Sequence, residues 1–248
     1  MNTTQSRDWS ELADRLTGWL PPAGPFEPAG DWTLAYERHL LIPAPGGQPG
    51  GQQAGSLVVT HTPGPGGSRV RVREAIFAGA TTIATAAEFH CAADPLLTPQ
   101  SWNLDIRWDS KMPLVPVAGL DQKRSGRVEG GELVFAGARE RRRPVPQRWT
   151  ASWLLFAVLP RLPFAAGTVL DFDLFEEGEL HKPDQQLAYA GEHSVQLGEK
   201  NIKLHVFEQF GRGVTPTRWW LDGQHRVVLA ACERRAYLLG SREKGATP

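Results

Sequence analysis

Residues 149–159 read WTASWLLFAVL, a run that is apolar almost all round. Trp149, Trp153 and Phe156 fall at helical spacing, and Leu154, Leu155, Val158 and Leu159 fill the other faces. A helix apolar on every side is a buried one. Crossing a bilayer takes roughly 20 apolar residues, so this run is read as a core helix and no integral membrane segment is expected. Pro160 and Pro163 end it, because proline removes a backbone donor and clashes with the preceding turn. One short buried helix leaves the rest of the core to other elements.

Those elements have a period of two. Leu170, Phe172 and Leu174 alternate with Val169, Asp171 and Asp173, as in a strand with one buried face. Glu176-Glu177-Gly178-Glu179 reads as a polar turn, and a strand is expected over 187–197. The next strand puts Ile202, Leu204, Val206 and Phe210 on one face and Lys203, His205 and Gln209 on the other. Asp222-Gly223 is a hairpin signal between two strand-like runs, and 226–239 reads as one long last strand. One buried helix beside a run of antiparallel strands implies a curved sheet whose concave side the helix fills. The expected fold is mainly β: an open or half-closed antiparallel barrel wrapped around the 149–159 helix, plus an N-terminal amphipathic helix.

The order WLLFAVLPRLPF, GTVLDFDLF, the 191–207 strand pair and TPTRWWLDGQHRVVL resembles an uncharacterised bacterial domain family. That family is related to the Lol-type lipoprotein carriers, open antiparallel half-barrels with a helical plug. The resemblance covers 36–239, and 148–239 in most detail. It implies a half-barrel that holds lipid or another apolar ligand, and relatives that are mostly exported. The N-terminus, MNTTQSRDWSELADRL, has no basic stretch followed by an apolar one, so a cytoplasmic location is expected instead.

Upstream, 8–20 reads as a helix with Trp9, Leu12, Leu16 and Trp19 on one face and Asp8 with Glu11 forming a capping box. It is read either as docked on the sheet or as a lid. Residues 1–30 make a helix and extended arm, 31–240 a single β domain and 241–248 a tail. A first strand is expected over 31–42. PAPGGQPGGQQAG (43–55) has nothing that can pack and is read as a long mobile hairpin loop. Strands follow at 56–61, 68–77, 81–91 and 101–109, the last with Trp102, Leu104, Ile106 and Trp108 inward. Gly130-Gly131 marks another hairpin, and the arginine-rich 139–148 reads as a solvated connector. With 27 Lys+Arg against 27 Asp+Glu there is no net field to favour nucleic acid, and no nucleic-acid partner is expected.

Several residues are candidates for chemistry. Arg69, Arg71 and Arg73 share one strand face and either meet carboxylates from a neighbouring strand or form an anion site. Trp219 and Trp220 are adjacent on a strand and point to opposite faces, so one of them covers the outer face or lines a cavity. Asp171 and Asp173, with Cα atoms roughly 6.5–7 Å apart on one strand face, are candidate acid/base carboxylates, with His205 as a further candidate. The alternative is the polar side of an amphipathic strand. The seven histidines show no HxH or HExxH spacing, there is no CxxC, and GxSxG, P-loop and GxGxxG motifs are absent, so no metal or cofactor is expected. Cys91 and Cys232 read as small buried hydrophobes, with a disulfide left open. The leading expectation is a protein that binds an apolar or amphipathic small molecule in the sheet's concavity. The alternatives are an enzyme acting on a sugar or lipid through convergent Asp and His residues, and a structural or protein-interaction domain.

Overall fold

The computed structural model describes residues 19–41, 52–110, 121–136, 140–197 and 200–240. The expected N-terminal helix and the loop up to residue 51 lie outside these residues, apart from Trp19 and Leu20. Among the described residues there are fifteen strands: β1 (Trp32–Leu40), β2 (Gln52–Gly64), β3 (Gly67–Ala78), β4 (Thr81–Ala92), β5 (Pro99–Ser110), β6 (Gln122–Glu129), β7 (Glu132–Ala136), β8 (Arg141–Pro144), β9 (Trp149–Ala151), β10 (Val169–Glu176), β11 (Leu180–Leu197), β12 (Lys200–Gly211), β13 (Thr217–Leu221), β14 (Val227–Cys232) and β15 (Arg235–Leu239). They form one sheet in the order β8-β7-β6-β5-β4-β3-β2-β1-β15-β14-β13-β12-β11-β10-β9. The first and last strands of the chain pair at its middle, Tyr36 opposite Leu239. From that seam two meanders run outward. All pairings are antiparallel except β9 with β10.

The sheet is not closed, yet its two ends meet through side chains. Trp102 of β5 lies edge-on to Trp149 of β9 at 5.8 Å, and Phe135 of β7 lies 6.4 Å from Phe175 of β10. Arg124 reaches Glu177 at 3.3 Å and Arg141 reaches Glu179 at 2.8 Å across the same gap. The sheet is therefore curved, with an inner face.

The apolar run is not one helix. Trp149–Ala151 is a strand, followed by a 3-10 turn (Ser152–Leu154), a single α-helical turn α1 (Leu155–Val158) and a second 3-10 turn (Leu159–Arg161). The N–H of Asp173 donates to the carbonyl of Arg148, which ties the run to the edge of β10 before it can coil. A run apolar on every side satisfies a doubly buried strand as well as a buried helix, so periodicity could not separate the two. The helical part still sits in the core. Phe156 packs on Tyr36 (4.8 Å), Trp219 (5.1 Å) and Tyr237 (5.7 Å), and Trp153 on Phe89 (6.3 Å).

Four other expectations change. Residues 52–55 belong to β2 and not to a loop. The arginine-rich connector contains β8, an edge strand whose Arg141 and Arg143 stack over Phe135. A short charged edge deters pairing with another chain. The long last strand is a hairpin, β14 and β15, reversed at the charged Glu233-Arg234 step. The Asp222 hairpin turns over five residues: the Asp222 carboxylate accepts from the N–H groups of Gln224 and Arg226, and His225 takes φ +67° in place of Gly223. Gly130-Gly131 is the expected two-residue hairpin, both with positive φ. Among the described residues, no helix is long and apolar enough to cross a membrane.

Candidate functional site

The alternation of β3 decides what the inner face carries. Val70, Val72 and Glu74 are buried on one side, while Arg71 and Arg73 are exposed on the other. Glu74 thus stands in an otherwise apolar row, and the curvature brings it beneath Trp153 and beside Tyr237. Trp153 Nε1 donates to Glu74 Oε2 at 3.0 Å, and the Tyr237 hydroxyl donates to Glu74 Oε1 at 2.7 Å. Arg38 Nε stands 3.9 Å from the same carboxylate, and Arg38 Nη1 donates to the Ala54 carbonyl. A buried carboxylate persists only when paired and hydrogen-bonded, and here both conditions hold. Burial, and then the charge of Glu74, pushes the Tyr237 phenol well above its ordinary range, so it stays a hydrogen-bond donor.

Glu74, Trp153 and Tyr237 border a cavity of about 780 Å³ on the inner face. Its floor is apolar and aromatic, made by Trp153, Leu155, Phe156, Trp219 and Ala230, with Glu74 and Gln209 as polar points within it. Gln209 Oε1 accepts from Trp219 Nε1 at 3.2 Å, which fixes that indole. Charged groups stand around the border, among neutral ones such as Val214, Thr215 and Thr217. Arg124, Arg141 and Arg143 come from one wall, Arg234 and Arg235 from the β14–β15 turn, and Glu176, Glu177 and Glu179 from the end of β10 and its turn.

Of the candidates read from the sequence, only Trp219 lines this cavity. Trp220 is buried against the opposite face, edge-on to His193 at 5.7 Å. The arginine row also lies on that opposite face. Arg71 Nε meets Glu88 Oε2 of β4 at 2.7 Å, the expected cross-strand answer. Among the described residues, Arg69 and Arg73 have no carboxylate within 4.0 Å, so the expected answer holds for one arginine of three. The two carboxylates of β10 take different partners. A bulge separates Phe172 from Leu174. Asp171 accepts from Gln186 Nε2 (2.9 Å), while Asp173 accepts from His181 Nε2 (2.9 Å) and the Asp184 N–H (3.1 Å). His205 bonds the Tyr189 hydroxyl (2.8 Å) and stacks on Phe164 at 3.8 Å, away from both aspartates. Both cysteines are unbridged thiols, and Cys232 borders the cavity. Among the described residues, no group of three or more His, Cys, Asp or Glu is arranged to hold a metal.

The residues missed from the sequence are Glu74, Tyr237 and Gln209. Glu74 had a signal, an acid in phase with the inward Val70 and Val72. Gln209, expected on the polar face of its strand with Phe210 inward, is instead buried while Phe210 is exposed. Compared with known protein families, curated proteins and solved structures, the chain matches none.

Proposed function

We propose that the protein binds an apolar or amphipathic small molecule in the concavity of its sheet, read as an open half-barrel around the 152–161 helical stretch. The observation that carries this reading is the cavity itself. Its volume of about 780 Å³ falls in the roughly 300–1,000 Å³ range of small-molecule sites, which are mostly apolar with a few placed polar groups. Trp153, Phe156 and Trp219 supply the apolar surface, and Glu74, Gln209 and the arginines supply the polar groups. The resemblance of the sequence pattern to a family related to the Lol-type carriers points the same way, as a fold-level analogy alone. The enzyme alternative calls on Asp171, Asp173 and His205, each of which is engaged by a different partner.

Native mass spectrometry of protein purified without detergent tests the proposal. A small apolar adduct should be present, or should form on adding decanoate, and Thr217→Trp at the cavity wall should abolish it. A protein that takes up no such molecule under either condition would refute the reading.

A further inference from the structure

We infer that the ligand of this cavity is a single-chain amphiphile with an anionic head, a carboxylate or phosphate monoester, seated at Arg143, Arg234 and Arg235. The inference rests on the cavity being a binding site and adds the charge and orientation of what it binds.

The charges around the cavity do not balance locally. Glu74 is held by Trp153 and Tyr237, Glu177 by Arg124 and Glu179 by Arg141. Glu176 lies 3.8 Å from Lys182 Nζ. Every carboxylate of the lining therefore has an answering group, and Arg124 and Arg141 are used up. Arg143, Arg234 and Arg235 are left. Among the described residues, no carboxylate lies within 4.0 Å of any of them. Arg143 has only the Phe135 ring beneath it, at 5.9 Å. Arg235 feels Glu74 and Glu176 without reaching either. Guanidinium groups left over at a partly apolar cleft focus a positive field there, and their planar donor forks match carboxylate and phosphate oxygens two at a time.

The same charges set the direction of entry. Glu74 carries its negative charge at the aromatic end, with both oxygens already engaged. An anion placed there would meet a like charge and displace a donor. An apolar chain meets Trp153, Phe156 and Trp219 instead. The head therefore stays at the arginines and the tail goes to the aromatic floor.

Isothermal titration calorimetry with a ten-carbon series tests this: decanoate, decyl phosphate, decanol and decyltrimethylammonium, with inorganic phosphate alone as a fifth titrant. Decanoate or decyl phosphate, whichever head the site takes, should bind at least about tenfold more tightly than decanol, with the cation weakest. That preference should shrink as salt rises, since exposed charges are screened within about 10 Å at 0.1 M. Arg234→Gln with Arg235→Gln should reduce the anion to the affinity of decanol, whereas Arg71→Gln on the opposite face should leave it unchanged. Equal affinity for all four heads, or preference for the cation, would overturn the inference and leave the cavity reading standing. Inorganic phosphate binding as tightly as decyl phosphate would overturn the role of the tail. If none of the four amphiphiles binds, both readings fail.

Discussion

Trp153→Ala probes the core and the site together. Trp153 is 8% exposed, packs on Phe89 and gives its indole N–H to Glu74. Truncating a buried Trp to Ala costs about 3–5 kcal/mol through lost transfer energy and the space left behind. A second cost follows, because Glu74 Oε2 loses its donor. An unsatisfied buried acceptor costs about 1–3 kcal/mol, less if water enters the enlarged cavity. The sum of about 4–8 kcal/mol is a large share of the roughly 5–15 kcal/mol of a typical domain. Trp153→Phe weights the two contributions differently: it keeps an aromatic ring but loses the donor and part of the ring volume, so a loss smaller than that of Trp153→Ala, with about 1–3 kcal/mol from the donor, is expected. Urea unfolding at equilibrium measures both, provided the slope m is unchanged. A loss below about 1 kcal/mol for Trp153→Ala, far under the range for buried aromatics, would mean that the helical stretch is peripheral.

Gly126 stands opposite Trp102 on the neighbouring strand, and a Cβ there would overlap the indole ring. Gly126→Ala should cost about 1–3 kcal/mol and lower the melting temperature by several degrees; an unchanged melt would contradict the packing of the sheet ends. In native protein a maleimide should modify Cys232, which borders the cavity, well before Cys91, whose thiol burial pushes up to about 12. Equal labelling rates would count against both placements. His61 is held neutral, its usual value lowered first by burial, with Nδ1 donating to the Gly30 carbonyl and Nε2 facing Ser68 Oγ. The unfolded state therefore binds the proton more readily. The stability His61 contributes is present above its unfolded value of about 6.5 and is lost as pH falls through the folded one. Denaturation midpoints should drop below about pH 6.5, and His61→Gln should flatten that drop; an identical slope in the variant would refute the assignment.

How far the sequence could be read depended on what each signal reports. Period two in 101–109 places Trp102, Leu104 and Ile106 inward, and Gly130-Gly131 marks the turn between β6 and β7, because side-chain alternation and positive φ are local properties. Trp149 and Thr150 read as helix in the sequence because a segment buried on all sides has no period; only the edge of β10 decides that it is a strand. The 226–239 run hid a reversal, since its charged turn has neither Gly nor Pro. The site was harder. The arginine row of β3 is conspicuous because it carries three like charges, whereas Glu74, one residue on and facing the other way, is the one that lines the cavity. Its partners Trp153 and Tyr237 lie 79 and 163 residues away in the chain. Nothing local announces such a convergence. It follows from the order of the sheet, in which β15 sits beside β1, two strands from β3.

The most direct test of the account is a crystal of the protein grown with 10-bromodecanoate, with the bromine located by its anomalous scattering. The account places a bromine peak on the inner face of the sheet, against Trp153, Phe156 and Trp219, with the carboxylate toward Arg234 and Arg235. Bromine peaks confined to the outer face, with the cavity holding none, would contradict it.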